Sequence, residues 1–343
     1  MNNEIPFSFN TPESPKDYRD IKFDEVAMSL PIPEKFFVDV SKIPVTMQYK
    51  RGSCVAHATA KRKEKVEQDD TGVLVQLSPR FLYSVIKKED GNSGEGTVIR
   101  NGLKLLRSTG VCTEATYPSD YPNMSHAEFM DYSQIPGLAF EEAKNYKDLT
   151  YTPVPVNKDS LKQAIMQGHG VIARVVMSKN WWTDKNGNVT WAESGLMPIR
   201  PVDVNSPATG GHAVWLYGFD KDRFWGRNSW SEQWGAKGDF YFDWDVYGKD
   251  ITEAWTSIDI DNDKLEEVHN LPKPQPITRY LVFGTWGEDV KRLQKVLNVS
   301  PQSGYFGPLT LKAVIEFQKK HGITQTGTVG PITRAKINQL YFN

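Results

Sequence analysis

The chain has 343 residues, with 41 basic against 42 acidic side chains and a net charge of −1. At about 150 residues per domain that length corresponds to roughly two domains, and the balanced charge argues against a protein that works by gripping nucleic acid or an acidic membrane surface. A mean hydropathy of −0.51 with 39% hydrophobic residues describes a globular chain able to bury a core, and no stretch approaches the ~20 apolar residues of a membrane span. The N-terminus, MNNEIPFSFNTPESPKDYRD, lacks the basic n-region and apolar h-region of a secretory signal, so synthesis in the cytoplasm is expected.

Residues 1–30 are polar and dotted with proline, and are expected to form an arm lying on the surface. Residues 31–261 mix helical and strand patterns without an internal repeat. Cys54 and Cys112 are too few for a disulfide framework or a zinc site, and with no HExxH motif no metal or cofactor is expected. In Gln48-Tyr-Lys-Arg-Gly52-Ser53-Cys54-Val-Ala-His57 a cysteine follows a Gly-Ser turn and opens a run of good helix formers. A thiol there faces the positive end of the helix dipole, a setting that lowers a cysteine pKa from about 8.5 toward roughly 3.5–7.5 and so favours the nucleophilic thiolate. Gln48, six residues upstream, is placed to aim its amide N–H at the oxygen of a tetrahedral intermediate, with the Cys54 backbone N–H as second donor.

A base must come from elsewhere. Gly210-Gly211-His212-Ala-Val-Trp-Leu-Tyr-Gly218 reads as a buried strand, and Arg223-Phe-Trp-Gly-Arg-Asn228 as the next one. A hairpin centred near Asp220 sets His212 opposite or nearly opposite Asn228, within side-chain contact, so that the Asn228 carbonyl oxygen can accept the imidazole N–H, with Trp230 shielding that bond from water. The other readings carry less weight. Cys112, in VCTEATYP, reads as packing, and His57, one turn after Cys54, as a core residue rather than a rival base. Asp259-Ile-Asp261-Asn-Asp263 lacks the glycine and the closing glutamate of a calcium loop. Trp181-Trp182-Thr-Asp-Lys-Asn186-Gly187-Asn-Val-Thr-Trp191 carries a hairpin signal whose aromatic residues either line a cleft or cover a barrel.

Residues 262–278, with Pro272, Pro274 and Pro276 among polar neighbours, read as a stiff linker. The tail, 279–343, contains an echo: Gly304-Tyr-Phe-Gly307-Pro308-Leu-Thr310 returns at Gly327-Thr-Val-Gly330-Pro331-Ile-Thr333, and each copy leads into a helix. Apolar faces at Val290, Leu293 and Leu297, at Leu311, Val314 and Ile315, and at Ile337 and Leu340 make three helices, consistent with a docking or oligomerisation module.

Gln48, Gly52-Ser53-Cys54, Gly211-His212-Ala213-Val214 and Asn228-Ser229-Trp230-Ser-Glu-Gln-Trp234-Gly235, with Leu77-Ser78-Pro79 and Gly110-Val-Cys-Thr-Glu114-Ala-Thr-Tyr117-Pro118 between them, resemble the papain-like cysteine peptidases in their order. The resemblance implies an α+β, two-lobed fold, one lobe helical and one a β-barrel, with Cys54 as nucleophile, His212 as base and acid, Asn228 as orienter and Gln48 as oxyanion donor. It also implies that Gly94, Gly96, Gly211 and Trp230 lie against a protein or peptide substrate. The chain departs from the family at Arg51, where secreted members have a disulfide-forming cysteine, at Val55 in place of tryptophan, and at His57, a position commonly aromatic. Only about 30 residues precede the domain, too few for a long inhibitory pro-region, so any latency would have to come from that arm or from elsewhere. The tail's GTWGEDVKRLQKVLN, GYFGPLT and FQKKHGI are similar to peptidoglycan-binding modules, which implies docking on cell-wall polymer through residues 279–343. Three functions follow as expectations: a cysteine endopeptidase addressed to a bacterial wall, a lysin cutting the peptide stems of peptidoglycan, or a catalytically silent wall-binding protein. A wall address without an export signal calls for lysis, a phage particle or an unconventional secretion route.

Overall fold

The computed structural model describes residues 8, 10–17, 20, 23, 27, 29–177, 181, 210–257, 276–297 and 299–341. The hairpin signal after Trp181, the aspartates around Asp261 and most of the proline linker lie outside them. The chain divides into two units, Met1–Pro15 with Asp20–Ile260, and Lys16–Arg19 with Asp261–Asn343.

The first unit is built around helix α1 (Cys54–Thr71). Its Cys54, Val55 and Ala58 belong to one apolar core, shared with the strands; its Ala56 and Ala60 belong to a second, shared with helices α2 (Pro79–Asp90) and α3 (Ile99–Ser108). The helix is thus enclosed on both sides, and every residue from Cys54 to Val66 is buried. Burying charged side chains is costly unless they are paired, and the run Lys61-Arg62-Lys63-Glu64 meets that condition. Lys61 pairs with Glu64 at 2.6 Å, Arg62 and Lys63 both reach Asp148 at 3.2 and 3.3 Å, and Arg62 also donates to the carbonyls of Gly168 (2.8 Å) and Ser257 (2.6 Å). α3 approaches α1 at Gly102, where a Cβ would stand 2.9 Å from Thr59 Oγ1 and 3.0 Å from Val55. Ser78 caps α2 by accepting from the Phe81 N–H at 3.1 Å, with Pro79 at the favoured first position.

The second lobe is a seven-stranded antiparallel sheet. Its strands are β1 (Phe36–Phe37), β2 (Thr152–Pro153), β3 (Val171–Met177), β4 (Gly210–Phe219), β5 (Arg223–Arg227), β6 (Asp239–Asp243) and β7 (Ile251–Thr256). They run in the order β2-β7-β3-β4-β5-β6, with β1 on β4. β4 is buried along nearly its whole length, which explains its continuous apolar sequence. The hairpin register differs from expectation. Trp215 faces Arg227, and a bulge between Leu216 and Gly218 shifts the pairing so that Phe219 faces Phe224. His212 is therefore not opposite Asn228 in the ladder; its backbone partner is Val175 on β3.

The cysteine missing at position 51 has a substitute. Arg51, 1% exposed, donates from Nε to the Gln48 carbonyl at 3.2 Å and from Nη1 to the carbonyls of Tyr121 (2.7 Å) and Met124 (3.0 Å). Its guanidinium carbon lies 4.4 Å from the Phe129 ring centre and 4.9 Å from that of Tyr49. Cys54 and Cys112 are both free and buried; burial pushes the Cys112 thiol up to about 12, in keeping with a packing role.

The second unit holds helices numbered here α8 (Glu288–Val296), α9 (Pro308–Lys320) and α10 (Pro331–Tyr341), after four short ones in the first unit: α4 (His126–Phe129), α5 (Gly137–Ala143), α6 (Lys158–Gln167) and α7 (Trp244–Tyr247). Val290, Leu293, Val314, Phe317 and Ile337 form its core. The sequence echo has a structural basis in two buried glutamines. Gln294 Nε2 donates to the Tyr305 carbonyl (2.8 Å) and Thr310 Oγ1 (3.0 Å), while its Oε1 accepts from Gly304 N (2.8 Å). Gln318 repeats the pattern with Thr328 O (2.8 Å), Thr333 Oγ1 (2.9 Å) and Gly327 N (2.9 Å). Gly304 and Gly327 sit at φ 77° and 67°, which favours glycine. At about 1 kcal/mol per bond, plus the cost of an orphaned buried N–H, Gln318→Ala should destabilise this unit by roughly 2–4 kcal/mol. Hydrogen exchange of the full chain checks this: amides of Pro331–Tyr341 should lose protection while those of β4 keep theirs.

Candidate active site

Cys54 is the first residue of α1, preceded by Ser53, whose side chain makes no capping bond. The thiol contacts Thr11 Oγ1 at 3.0 Å, and the backbone N–H groups of Ala213, Val55 and Cys54 point at it. His212 Nε2 and Asn228 Oδ1 are 2.7 Å apart. The contact forms across the bulge because Asn228 lies just past the end of β5, where its side chain is free of the ladder. Trp230 is fully buried and lies tilted by 30° against the imidazole with ring centres 4.9 Å apart, and Trp181 meets the same imidazole edge-on at 6.3 Å.

Gln48 belongs to a seam between the lobes. Met47 and Trp230 form an isolated bridge, the Gln48 N–H donates to the Ser229 carbonyl (2.9 Å) and the Ser231 N–H to the Thr46 carbonyl (2.9 Å). Ser229 Oγ donates to Gln48 Oε1 at 2.6 Å, which turns the amide NH2 the other way, onto the carbonyls of Ser8 (2.6 Å) and Arg51 (2.8 Å). Sequence reasoning overlooked Ser229, although it stands between Asn228 and Trp230.

The arm corrects a second expectation. It does not simply lie on the surface: Thr11 is 1% exposed and sits against Cys54. The Thr11 N–H donates to the Gly211 carbonyl (2.9 Å), Arg174 Nε donates to the Thr11 carbonyl (2.6 Å) and Asn10 Nδ2 donates to the Glu95 carbonyl (3.0 Å). At Gly96, with φ 84°, a Cβ would fall 1.5 Å from the Asn10 carbonyl oxygen; at Gly211 it would fall 2.2 Å from that of Thr11. These two glycines admit the arm's backbone. Gly94 does not take part: the nearest atom to its Cβ position is Asn92 Oδ1. Ser14 N–H donates to Glu253 Oε2 at 2.9 Å, which fastens the arm further along.

Burial reverses the expected ionisation. Cys54 and His212 are both fully buried. Burial pushes the thiol above its ordinary value, against the Thr11 hydroxyl and the three backbone N–H groups that pull it down. Burial also lowers His212 to about 4, against the pull of Asn228. In the covered form the pair is a neutral thiol and a neutral imidazole, because desolvation outweighs the helix dipole. Among the described residues no His/Cys/Asp/Glu group could hold a metal ion, and no helix is long and apolar enough to cross a membrane.

Residues 35–254 match the papain family cysteine protease profile, and the chain belongs to that family. Residues 287–337 match a putative peptidoglycan binding domain. Among curated proteins, the chain is 26% identical over 211 residues to an uncharacterized peptidase C1-like protein of Acanthamoeba polyphaga mimivirus, covering 55% of this chain and 60% of that one. It is 27% identical over 194 residues to the cysteine endopeptidase RepA of Oryza sativa subsp. japonica, covering 54% of this chain and 45% of that one. The chain thus spans about half to three fifths of the length of these relatives. In fold it is similar to xylellain, a cysteine protease from Xylella fastidiosa, with a TM-score of 0.63 at 22% identity over 76% of this chain and all of that one.

With Cys54 fully buried beneath Thr11, deleting residues 1–15 should speed its alkylation by iodoacetamide at pH 7 at least ~10-fold, since the thiolate is the reacting form. Equal rates in the full and truncated chains would mean that the arm does not cover the thiol in solution.

Proposed function

We propose that the protein is a cysteine endopeptidase held latent by its own N-terminal arm and addressed to bacterial cell wall by its C-terminal unit. The observation that carries this reading is the arm itself. Described residues of the arm lie against Cys54, with the Thr11 N–H on the Gly211 carbonyl and the Ser8 carbonyl on the Gln48 amide, which supports a cleft that takes a peptide chain. What faces the thiol is the Thr11 hydroxyl rather than a carbonyl carbon, so the arm occupies the site without presenting a bond for attack.

Once the arm leaves, a substrate carbonyl takes the place of Ser8 O on Gln48 Nε2, with the Cys54 N–H as second donor. The thiol gives its proton to His212, and sulfur attacks the carbonyl carbon. Oxygen takes up negative charge, and two hydrogen bonds that strengthen with that charge lower the barrier. His212 then delivers the proton to the leaving amine, so the C–N bond breaks as the thioester forms; water, deprotonated by His212, hydrolyses the thioester and restores the thiol. Asn228 Oδ1 accepts from His212 Nε2, which keeps the other ring nitrogen for the sulfur. Ser229 holds the Gln48 amide so that its N–H groups, not its oxygen, face the site.

On casein, the chain lacking residues 1–15 should release new α-amino groups, and Cys54→Ala should abolish that release. Gln48→Ala should lower kcat by about 100- to 1,000-fold, the usual cost of one oxyanion donor. Cleavage of purified peptidoglycan without casein would instead identify a lysin, with the tail as part of substrate recognition. Turnover that survives Cys54→Ala would end the assignment.

The arm's hold should also depend on pH. The covered His212 titrates near 4, whereas an exposed imidazole titrates near 6.5. Between those values the covered state binds fewer protons than the open one, so the arm loosens as pH falls through that window. Exchange protection of Thr11, corrected for intrinsic rates, should fall between pH 6.5 and 4, and His212→Gln should flatten the change. Protection that stays constant in wild type would contradict a role for His212.

A further inference from the structure

Strand β3 reads VIARVVM, and Arg174 is its single charged residue. A cation there is costly unless other groups answer it. Its side chain is 14% exposed, and its bonds are of two kinds. One belongs to the sheet: Nη1 donates to Thr252 Oγ1 on β7 at 2.5 Å, which aims the guanidinium. The others belong to the arm: Nε donates to the Thr11 carbonyl at 2.6 Å, and Nη1 stands 3.7 Å from Glu13 Oε1. Thr11 is also the residue that faces Cys54, so Arg174 touches the peptide at the point where it crosses the thiol. Gly211 makes room for this contact, since a Cβ there would fall 2.6 Å from Arg174 Nε.

Glu253 lies opposite Arg174 in the ladder with β7, yet no ion pair joins the two; among the described residues the ion-pair partner of Arg174 is Glu13. The Glu253 carboxylate is engaged elsewhere. Its Oε2 accepts from the Ser14 N–H at 2.9 Å and its Oε1 from the Trp255 indole N–H. Trp255 belongs to the same strand, so that second bond outlasts the arm. A departing arm therefore takes two oxygens from Arg174, one of them anionic, and leaves the cation with Thr252. A planar guanidinium is best answered by a carboxylate, because a hydrogen bond between charged partners is roughly twice as strong as a neutral one. The arm supplies that group itself, two residues after Thr11.

We propose that Arg174 is a specificity-determining residue, which gives the cleft a preference for polypeptides with Asp or Glu within two residues of the one that faces Cys54. For substrates this rests on the peptidase reading; for the arm, where Glu13 takes the substrate's part, it does not.

The test is hydrolysis, by the full chain, of paired peptides that carry Glu or Gln at each position in turn on both sides of the cleaved bond. The arm slows both members of a pair alike, so the ratio of their kcat/KM values reports the cleft. At one position Glu should be favoured at least ~5-fold, and Arg174→Gln should remove that preference while exchange protection of β4 shows the variant folded. Arg174→Glu should favour lysine over glutamine at the same position, a gain that a misfolded chain could not produce. Equal rates for every pair in wild type, or a Glu preference that survives Arg174→Gln, overturns the proposal. A chain that cleaves none of the peptides removes the peptidase reading, and alkylation of Cys54 by iodoacetamide, a neutral reagent, then decides. Glu13→Gln should speed alkylation of the full chain about 2- to 5-fold at low salt, the size of a partly exposed ion pair, and should add nothing when Arg174→Gln is already present. An equal effect in both backgrounds, or none in either, overturns the proposal in that case.

Discussion

The candidate active site depends on the seam where Met47–Gln48 meets Ser229–Trp230. Gln48 comes from the segment leading into the helical lobe and Asn228 from the end of a strand, and the two would be independent without it. Two backbone bonds flank the bridge, and the Ser229 hydroxyl adds a bond to the Gln48 side chain. Gln48, Asn228 and Trp230 are therefore fixed relative to each other by bonds a few residues long. Cys54 is fixed separately, by the burial of α1 between two cores. A helix with charged residues in its second and third turns can occupy that place only because Asp148 and Glu64 answer those charges from inside.

Much of this was legible in the sequence because the relevant signals are local. A Gly-Ser turn before a helical run placed Cys54 at a helix start, and Ser78-Pro79 marked the start of another. The repeated GxxGPxT pattern gave the tail its second and third helices. The pairing of His212 with Asn228 was anticipated for a partly mistaken reason. Counting residues assumed a regular hairpin, whereas a bulge at Leu216–Gly218 shifts the ladder, and the two side chains meet because Asn228 has already left it.

What escaped the sequence is what depends on tertiary burial. A helix N-terminus predicts an acidified thiol, but Cys54 is fully buried, and desolvation outweighs that pull. The arm itself, SFNTPESP, carries no periodicity that would direct it into a cleft; its place is set by Gly96 and Gly211, distant in sequence, which leave room for a backbone. The two tail glutamines were visible only as polar letters among apolar ones, since their importance lies in bonds, three for each as described above, made after the helices have packed.

Arg51 has a further consequence. Where a disulfide closes this loop elsewhere in the family, the fastening depends on an oxidant and can be undone by a reductant. Here a guanidinium between two aromatic rings, bonded to three carbonyls, closes it by packing and hydrogen bonds alone. Position 51 thus offers no thiol beside Cys54 to mispair with it, and the fastening of the loop that carries Gln48 involves no redox step.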